Sequence, residues 1–441
     1  MSRPILLRGG RIIDPSQKLD RRLDLLLVEG TVAALGANLE VPEGGVSYDV
    51  EGLVVAPGFI DLHVHLREPG DEHKETIASG ARAATAGGFT SICAMPNTRP
   101  PIDDHAAVGF VRAEGERAGF ARVYPVGAVS LGLKGEEMTE IGELVAAGAV
   151  AVSDDGRPVW DSGLLRRTME YTLSFEIPYF SHSEDLGLSA SGVMNEGSVS
   201  TVLGLPGIPN AAEDTAVARD CYIAELTGGQ LHVLHVSTRG SVEVIRDAKA
   251  RGVRVTAEVT PHHLALTDEA VRGYRTEAKM NPPLRTAADV GAVRDALVEG
   301  VIDCIATDHA PHHYEDKERE FDDAPFGVVG LETALGVCMR ELVVTGRLDL
   351  LELVNRLAHR PAQIARLPGG TLAEGAPADV VVFDPEARWI CSPQEFLSLS
   401  RNTPFAGQEL VGKVVMTLVG GRPVFESSSD RPGLSAGAEV S

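Results

Sequence analysis

Several stretches of this chain end in residues that can hold a divalent cation or move a proton. One apolar run closes on Asp61-Leu62-His63-Val64-His65-Leu66-Arg67, and Asn97 follows another. Asp154-Asp155, His182, His235 and Asp308-His309 stand at the ends of four more. Pro261-His262-His263 ends a further run, with Asn281 in the loop beyond it. A strand alternates its faces with a period of two, so His63 and His65 point to the same side and can chelate together. A lone His at a strand end is more often a hydrogen-bonded surface residue than a ligand. A lone Asp there is more often a turn or cap. Such residues recur at five of eight run ends, which makes independent accident a poor account. Four imidazoles (His63, His65, His182, His235) and two carboxylates (Asp308 and one of Asp154 or Asp155) suit a mononuclear or dinuclear zinc site; iron or manganese would also accept them.

The remaining histidines carry less. His262-His263 and His312-His313 are adjacent pairs, so at most one of each faces a common site. For His262 and His263 a loop or core role is favoured. His73 and His105 lie near helix starts. His232, three before His235, is expected on the opposite face of its strand, packed outward.

Something must bring these ends together. Eight apolar runs can be counted: 55–66, 90–95, 122–130, 149–153, 177–181, 231–236, 254–259 and 302–307. Segments with helical periodicity lie between them, among them 76–86, 136–147, 211–226, 241–250 and 288–299. This alternation predicts an α/β fold, a (β/α)8 TIM-like barrel whose chemistry belongs at the C-terminal ends of its strands. A doubly wound sheet is disfavoured, since no GxGxxG follows an early strand. Short strand-like runs at both chain ends predict a small β-sandwich domain over 1–54 and 366–441, with the barrel at 55–365. The tail from Ser427 is expected to fray.

The chain has 441 residues, 44% hydrophobic and 23% charged, which excludes a disordered chain, a collagen or a coiled coil. Its net charge of −23 argues against nucleic acid or anionic lipid as partner. An anionic substrate would need a local cationic cluster. No run is long enough for a membrane span and no signal peptide is evident. Five scattered cysteines without a CxxC suggest a reducing, cytoplasmic setting.

Residues 55–65 (Val55-Ala56-Pro57-Gly58-Phe59-Ile60-Asp61-Leu62-His63-Val64-His65) resemble the opening motif of the amidohydrolase superfamily. The continuation Leu66-Arg67-Glu68-Pro69-Gly70 resembles the longer (class I) bacterial dihydroorotase family. Ala94-Met95-Pro96-Asn97-Thr98, residues 305–312 (IATDHAPH) and residues 325–332 (PFGVVGLE) fit the same family, so the resemblance spans almost the whole chain. It implies reversible cyclisation of N-carbamoyl-L-aspartate to L-dihydroorotate in de novo pyrimidine (UMP) biosynthesis, on one or two zinc ions per subunit, two favoured. His63, His65 and Asp308 would hold the more buried ion, and His182 and His235 the second. Many relatives bridge the two ions with a carboxylated lysine. Here Ser153-Asp154-Asp155-Gly156 stands in that place, and Asp155 is favoured as bridge because it shares the parity of Ser153. Asp308 would also serve as general base and proton shuttle.

On the substrate side the resemblance implies His65 and Arg67, the latter giving a two-pronged contact to a carboxylate. Asn97 and His312 would complete that pocket. Asn281 would take a ring polar group, aided by backbone near Phe326 and Gly327. A plainer role for Arg67 is a surface salt bridge with Glu68 or Asp71. The long charged loop 311–325 is expected to close over the site. A homodimer and association with aspartate transcarbamoylase are family-level expectations. The rivals are another cyclic amidohydrolase (a hydantoinase, dihydropyrimidinase or allantoinase) and a catalytically dead scaffold relative.

Overall fold

A computed structural model describes residues 3–427. The tail expected to fray from Ser427 lies, beyond that one residue, outside the described residues. Eight parallel strands form the middle of the chain: β1 (Phe59–Val64), β2 (Phe89–Ala94), β3 (Arg122–Ala128), β4 (Ala151–Ser153), β5 (Tyr179–Ser181), β6 (Leu231–Val233), β7 (Val255–Val259) and β8 (Cys304–Ile305). Each pairs with the next in chain order. The seam between β8 and β1 closes at the rim. There His309 bridges Val64 in parallel register, and the His65 N–H donates to His309 O at 2.8 Å. The expected barrel is present, and its strands read as apolar runs because both of their faces are buried.

Helices α1 (Ile77–Ala86), α2 (His105–Ala118), α3 (Ile141–Ala147), α4 (Ser162–Thr172), α5 (Asn210–Thr227), α6 (Arg239–Ala250) and α7 (Ala287–Glu299) lie between the strands. Their starts are set by caps: Asp104, Asp161 and Thr238 accept backbone N–H groups, while Thr76 and Thr286 form capping boxes. Among the described residues no helix is long and apolar enough to cross a membrane. All five cysteines are free and buried.

Both chain ends pair into one mixed sheet. Val54–Pro57 is its hinge, parallel to Ile5–Asp14 from the N-terminal end and antiparallel to Val380–Ile390 from the C-terminal end. The run 55–66, expected as a single strand, is therefore two strands in two sheets, divided at Gly58. The Gly58 N–H donates to Asp379 O at 2.9 Å in the outer sheet, and the next residue, Phe59, begins the barrel. A Cβ on Gly58 would lie 2.2 Å from the Thr90 side chain. This close approach between sheets leaves no mark in a single apolar run. Gly58→Ala is expected to cost about 1–3 kcal/mol through overpacking and to lower the Tm measured by thermal unfolding. An unchanged Tm would contradict the close approach.

Candidate metal centre

The barrel rim gathers the side chains that the sequence scatters. His63, near the end of β1, is fully buried. Its Nδ1 is 2.8 Å from Glu258 Oε1 on β7, and its Nε2 lies 3.5 Å from Asp155 Oδ1 and 3.4 Å from Asp308 Oδ1. His65 stands one residue beyond β1. Its Nδ1 meets Asn97 Oδ1 at 2.8 Å, and its Nε2 lies 3.0 Å from Asp308 Oδ1 and 3.3 Å from Asp155 Oδ2. His182, just past β5, has Nδ1 3.2 Å from Asp155 Oδ1 and Nε2 3.0 Å from Glu184 Oε2. His235, past β6, brings Nε2 within 2.9 Å of His182 Nδ1 and 3.8 Å of Asp155 Oδ1.

Two overlapping triads result, His63–Asp155–His235 and His63–His65–Asp308, with ligand atoms within 4.8 Å of one another in each. Asp155 faces all four imidazoles, although it stands two residues beyond the end of β4, where strand alternation no longer applies. Asp154 turns away to accept the N–H groups of Val129 and Ser130 at 2.7 and 3.1 Å, tying β4 to β3. His235 and Asp308 reach the centre from left-handed backbone, φ +34° and +47°. Such non-glycine conformations concentrate at functional sites.

The donor chemistry fits a divalent cation. His63, His65 and His182 each have an acceptor on the far side (Glu258, Asn97, Glu184) for one ring N–H, so that in the neutral ring the other nitrogen's lone pair is left for a cation. His63 Nε2 and Asp155 Oδ1 are buried and have no hydrogen-bond partner. Burial disfavours a charged His63, yet the carboxylates of Asp308 and Asp155 outweigh it and raise its pKa well above the ordinary value. For His182, burial is again overcome, by Asp155 and Glu184, and the pKa rises to about 10. Asp155 and Asp308 are buried too, which favours their neutral forms. His63 outweighs this in both, aided by His182 and His235 at Asp155 and by His65 at Asp308, and both acids fall below the usual carboxylate range. The cluster thus demands positive charge at its middle.

Arg67, with φ +61°, stands at the mouth beside this cluster. Its Nε donates to Pro311 O at 3.1 Å, and its Nη2 lies 3.4 Å from His312 Nε2, so the guanidinium is engaged away from Glu68 and Asp71. Glu68 instead accepts the Ile77 N–H, and Asp71 pairs with Lys74 and Arg99. His312 Nε2 donates to Phe326 O at 2.7 Å. Burial, with Arg67 and Lys317 nearby, holds its pKa down to about 2, so the ring is neutral. The Gly327 N–H is given to Lys279 O, so what this residue offers the pocket is room: a Cβ there would lie 2.7 Å from the His312 ring. Asn281 Nδ2 donates to Glu184 Oε2 at 3.0 Å. The loop 311–325 is anchored from behind, with Lys317 Nζ donating to the carbonyls of Thr276 and Pro325, and Lys279 Nζ to those of Phe321 and Asp322.

One histidine departs from expectation. His232 is not packed outward. It is fully buried, with Nε2 3.0 Å from Glu258 Oε2 and Nδ1 2.8 Å from Thr256 Oγ1. Alternation from His235 does not reach it because β6 ends at Val233 and the chain then leaves strand geometry. His263 is held by Thr260 and the Pro282 carbonyl, as a core histidine would be. His262 is equally buried, and its Nε2 has no partner. Glu258 and Glu184 were missed by sequence reasoning. The available signal was a lone glutamate inside the apolar run Val255–Val259 and another two residues after His182.

Comparison with known proteins agrees with this geometry. Residues 52–241 match the Dihydro-orotase-like family and residues 219–424 the Amidohydrolase family. The chain is 53% identical over 422 residues to a dihydroorotase of Geobacter metallireducens, covering 96% of this chain and 99% of that one. It is 54% identical over 428 residues to a dihydroorotase of Anaeromyxobacter dehalogenans, covering 97% and 99%. Among solved structures, an L-hydantoinase (dihydropyrimidinase) from Arthrobacter aurescens superposes with a TM-score of 0.85 at 26% identity, over 96% of each chain. A D-hydantoinase from a Thermus species gives 0.82 at 26%, over 95% of this chain and 94% of that one.

Glu258→Gln leaves one oxygen where two ring N–H groups now find acceptors. Cation affinity, measured by chelator competition, is expected to fall about 10–100-fold, the usual effect of losing a partner behind a ligand. Unchanged affinity would remove Glu258 from the support of His63.

Proposed function

The chain belongs to the dihydroorotase-like family of amidohydrolases, and on that premise we propose that it interconverts L-dihydroorotate and N-carbamoyl-L-aspartate, cyclising the latter for de novo pyrimidine (UMP) synthesis. The observation that carries this reading is the junction at one rim of two histidine–carboxylate triads with an arginine two residues beyond His65. We assign the cation as zinc, two per subunit. His63, His65 and Asp308 would hold one ion, His182 and His235 the other, with Asp155 between them. When bound, zinc supplies Lewis acidity toward a carbonyl and toward water.

The protein's own groups do the rest. In the hydrolytic direction Asp308 takes a proton from the attacking water on a carboxylate oxygen, 3.0 Å from His65 Nε2. A C–O bond forms at the ring amide carbonyl, the C–N bond breaks, and Asp308 passes its proton to the leaving nitrogen. The second water proton leaves with the new carboxyl group and is lost to solvent. Cyclisation runs these transfers backwards.

Arg67 supplies the local positive charge that an anionic substrate needs against a net charge of −23. Neutral His312, its one N–H given to Phe326 O, sits beside it with Nδ1 unpartnered, Asn97 steadies His65 while offering its own amide, and Gly327 leaves space. The hydantoinases of the same fold define the second reading. Against it stand Arg67 and the carboxylate of Asp155 in the place of a bridging lysine.

The zinc-loaded protein is expected to hydrolyse dihydroorotate far faster than hydantoin or allantoin; preference for hydantoin would overturn the assignment. Asp308→Asn should lower kcat by about 10²–10⁴-fold. Arg67→Met should raise KM for dihydroorotate by at least about tenfold, the loss of a charge-assisted pair, with a smaller effect on kcat. Steady-state kinetics on the two variants test both statements, and a kcat unaffected by Asp308→Asn would exclude its role in proton transfer.

A further inference from the structure

Glu184 lies two residues after His182, just beyond β5, with its side chain only 13% exposed. One of its oxygens, Oε2, meets His182 Nε2 and Asn281 Nδ2, each at 3.0 Å. A carboxylate at neutral pH only accepts hydrogen bonds, so both contacts are donated to it.

Two consequences follow from an acceptor in that place. A neutral His182 then carries its proton on Nε2, which leaves Nδ1, 3.2 Å from Asp155 Oδ1 and 2.9 Å from His235 Nε2, as the nitrogen able to give its lone pair to a cation. The carboxamide of Asn281 must also keep its NH2 toward Glu184, since the reversed amide would set oxygen against a carboxylate oxygen. His182 Nε2 lies 3.5 Å from Asn281 Nδ2, so a reversed amide would gain little from the imidazole in return. What Asn281 can then offer a ligand on its other branch is Oδ1, an acceptor, and the complementary group is an N–H.

We propose that Glu184 is a positioning residue that joins the metal side of the centre to its substrate side, aiming His182 and turning Asn281 so that its carbonyl oxygen accepts a substrate N–H. The proposal rests on the dihydroorotase reading and adds the polarity of one substrate contact. Asn281 selects for a cyclic amide or ureide bearing an N–H at that position. Analogues with N-methyl or ring oxygen there leave the Asn281 oxygen unpaired and are rejected.

The test compares the native protein with E184L, which removes the acceptor, and with N281A, all loaded with zinc. In E184L, zinc affinity by chelator competition falls about tenfold or more, and the Asn281 amide is freed to turn. The second readout is inhibition by the two ring-N-methylated dihydroorotates. The native protein binds one of them at least about tenfold more weakly than the other, the scale of one unpaired acceptor, and both E184L and N281A erase the difference. A merely structural role for Glu184 predicts weaker binding of both inhibitors with the difference kept. Native zinc affinity in E184L, a difference that survives in E184L, or equal binding of the two inhibitors to the native protein overturns the proposal. Should E184L fail to fold, the two inhibitors on the native protein and N281A decide. A native protein that binds zinc but does not turn over dihydroorotate defeats the functional reading instead, and the zinc arm still tests the His182 half.

Discussion

Two buried carboxylates and four imidazole nitrogens share a few ångströms at the barrel rim, and they do so stably only with positive charge among them. Burying charge without compensation costs several kcal/mol. With a cation bound, three of the histidines can stay neutral, each spending its N–H on an acceptor behind it and keeping the other nitrogen's lone pair inward. This single electrostatic requirement explains the raised pKa values of His63 and His182 and the depressed ones of Asp155 and Asp308. It also explains why a divalent cation is the natural occupant.

The barrel meets the requirement by delivering each ligand from a different strand end and fixing the ends to one another with buried acids. Asp61 accepts from the His63 and Thr307 amides and from the Thr307 hydroxyl, locking β1 to the residues that follow β8. Burial raises its pKa to about 7 in spite of these bonds. Asp154 does the same between β3 and β4. Glu258 spends its oxygens on His63 and His232, so the floor of the site is itself a filled hydrogen-bond chain. On the far side Glu75 meets His309 at 3.3 Å and accepts from Ser398, joining the last strand end to a loop that precedes the outer sheet's final strands.

Much of this was legible in the chain because two periodicities carry it. Alternation with period two put His63 with His65, and the strand–helix rhythm specified the barrel; Asp155, favoured over Asp154 by parity with Ser153, reaches the centre from beyond the three-residue β4. The same rule misled for His232, because a three-residue strand stops short of His235 and the parity is broken by a left-handed turn. Glu258 and Glu184 stayed hidden for another reason. Their roles are defined by partners some 195 and 97 positions away, His63 and Asn281, and no local pattern encodes such a pairing. The division of residues 55–66 at Gly58 is likewise a tertiary event, set by the Thr90 side chain pressing on a position that admits no Cβ.

Elemental analysis of the purified protein in parallel with dihydroorotate hydrolysis, through cycles of chelation and zinc return, tests the central claim most directly. The account predicts up to two equivalents of divalent metal, activity that falls and recovers in step with them, and loss of about one equivalent in Asp155→Ala. Full activity in a folded protein stripped of divalent metal would contradict it.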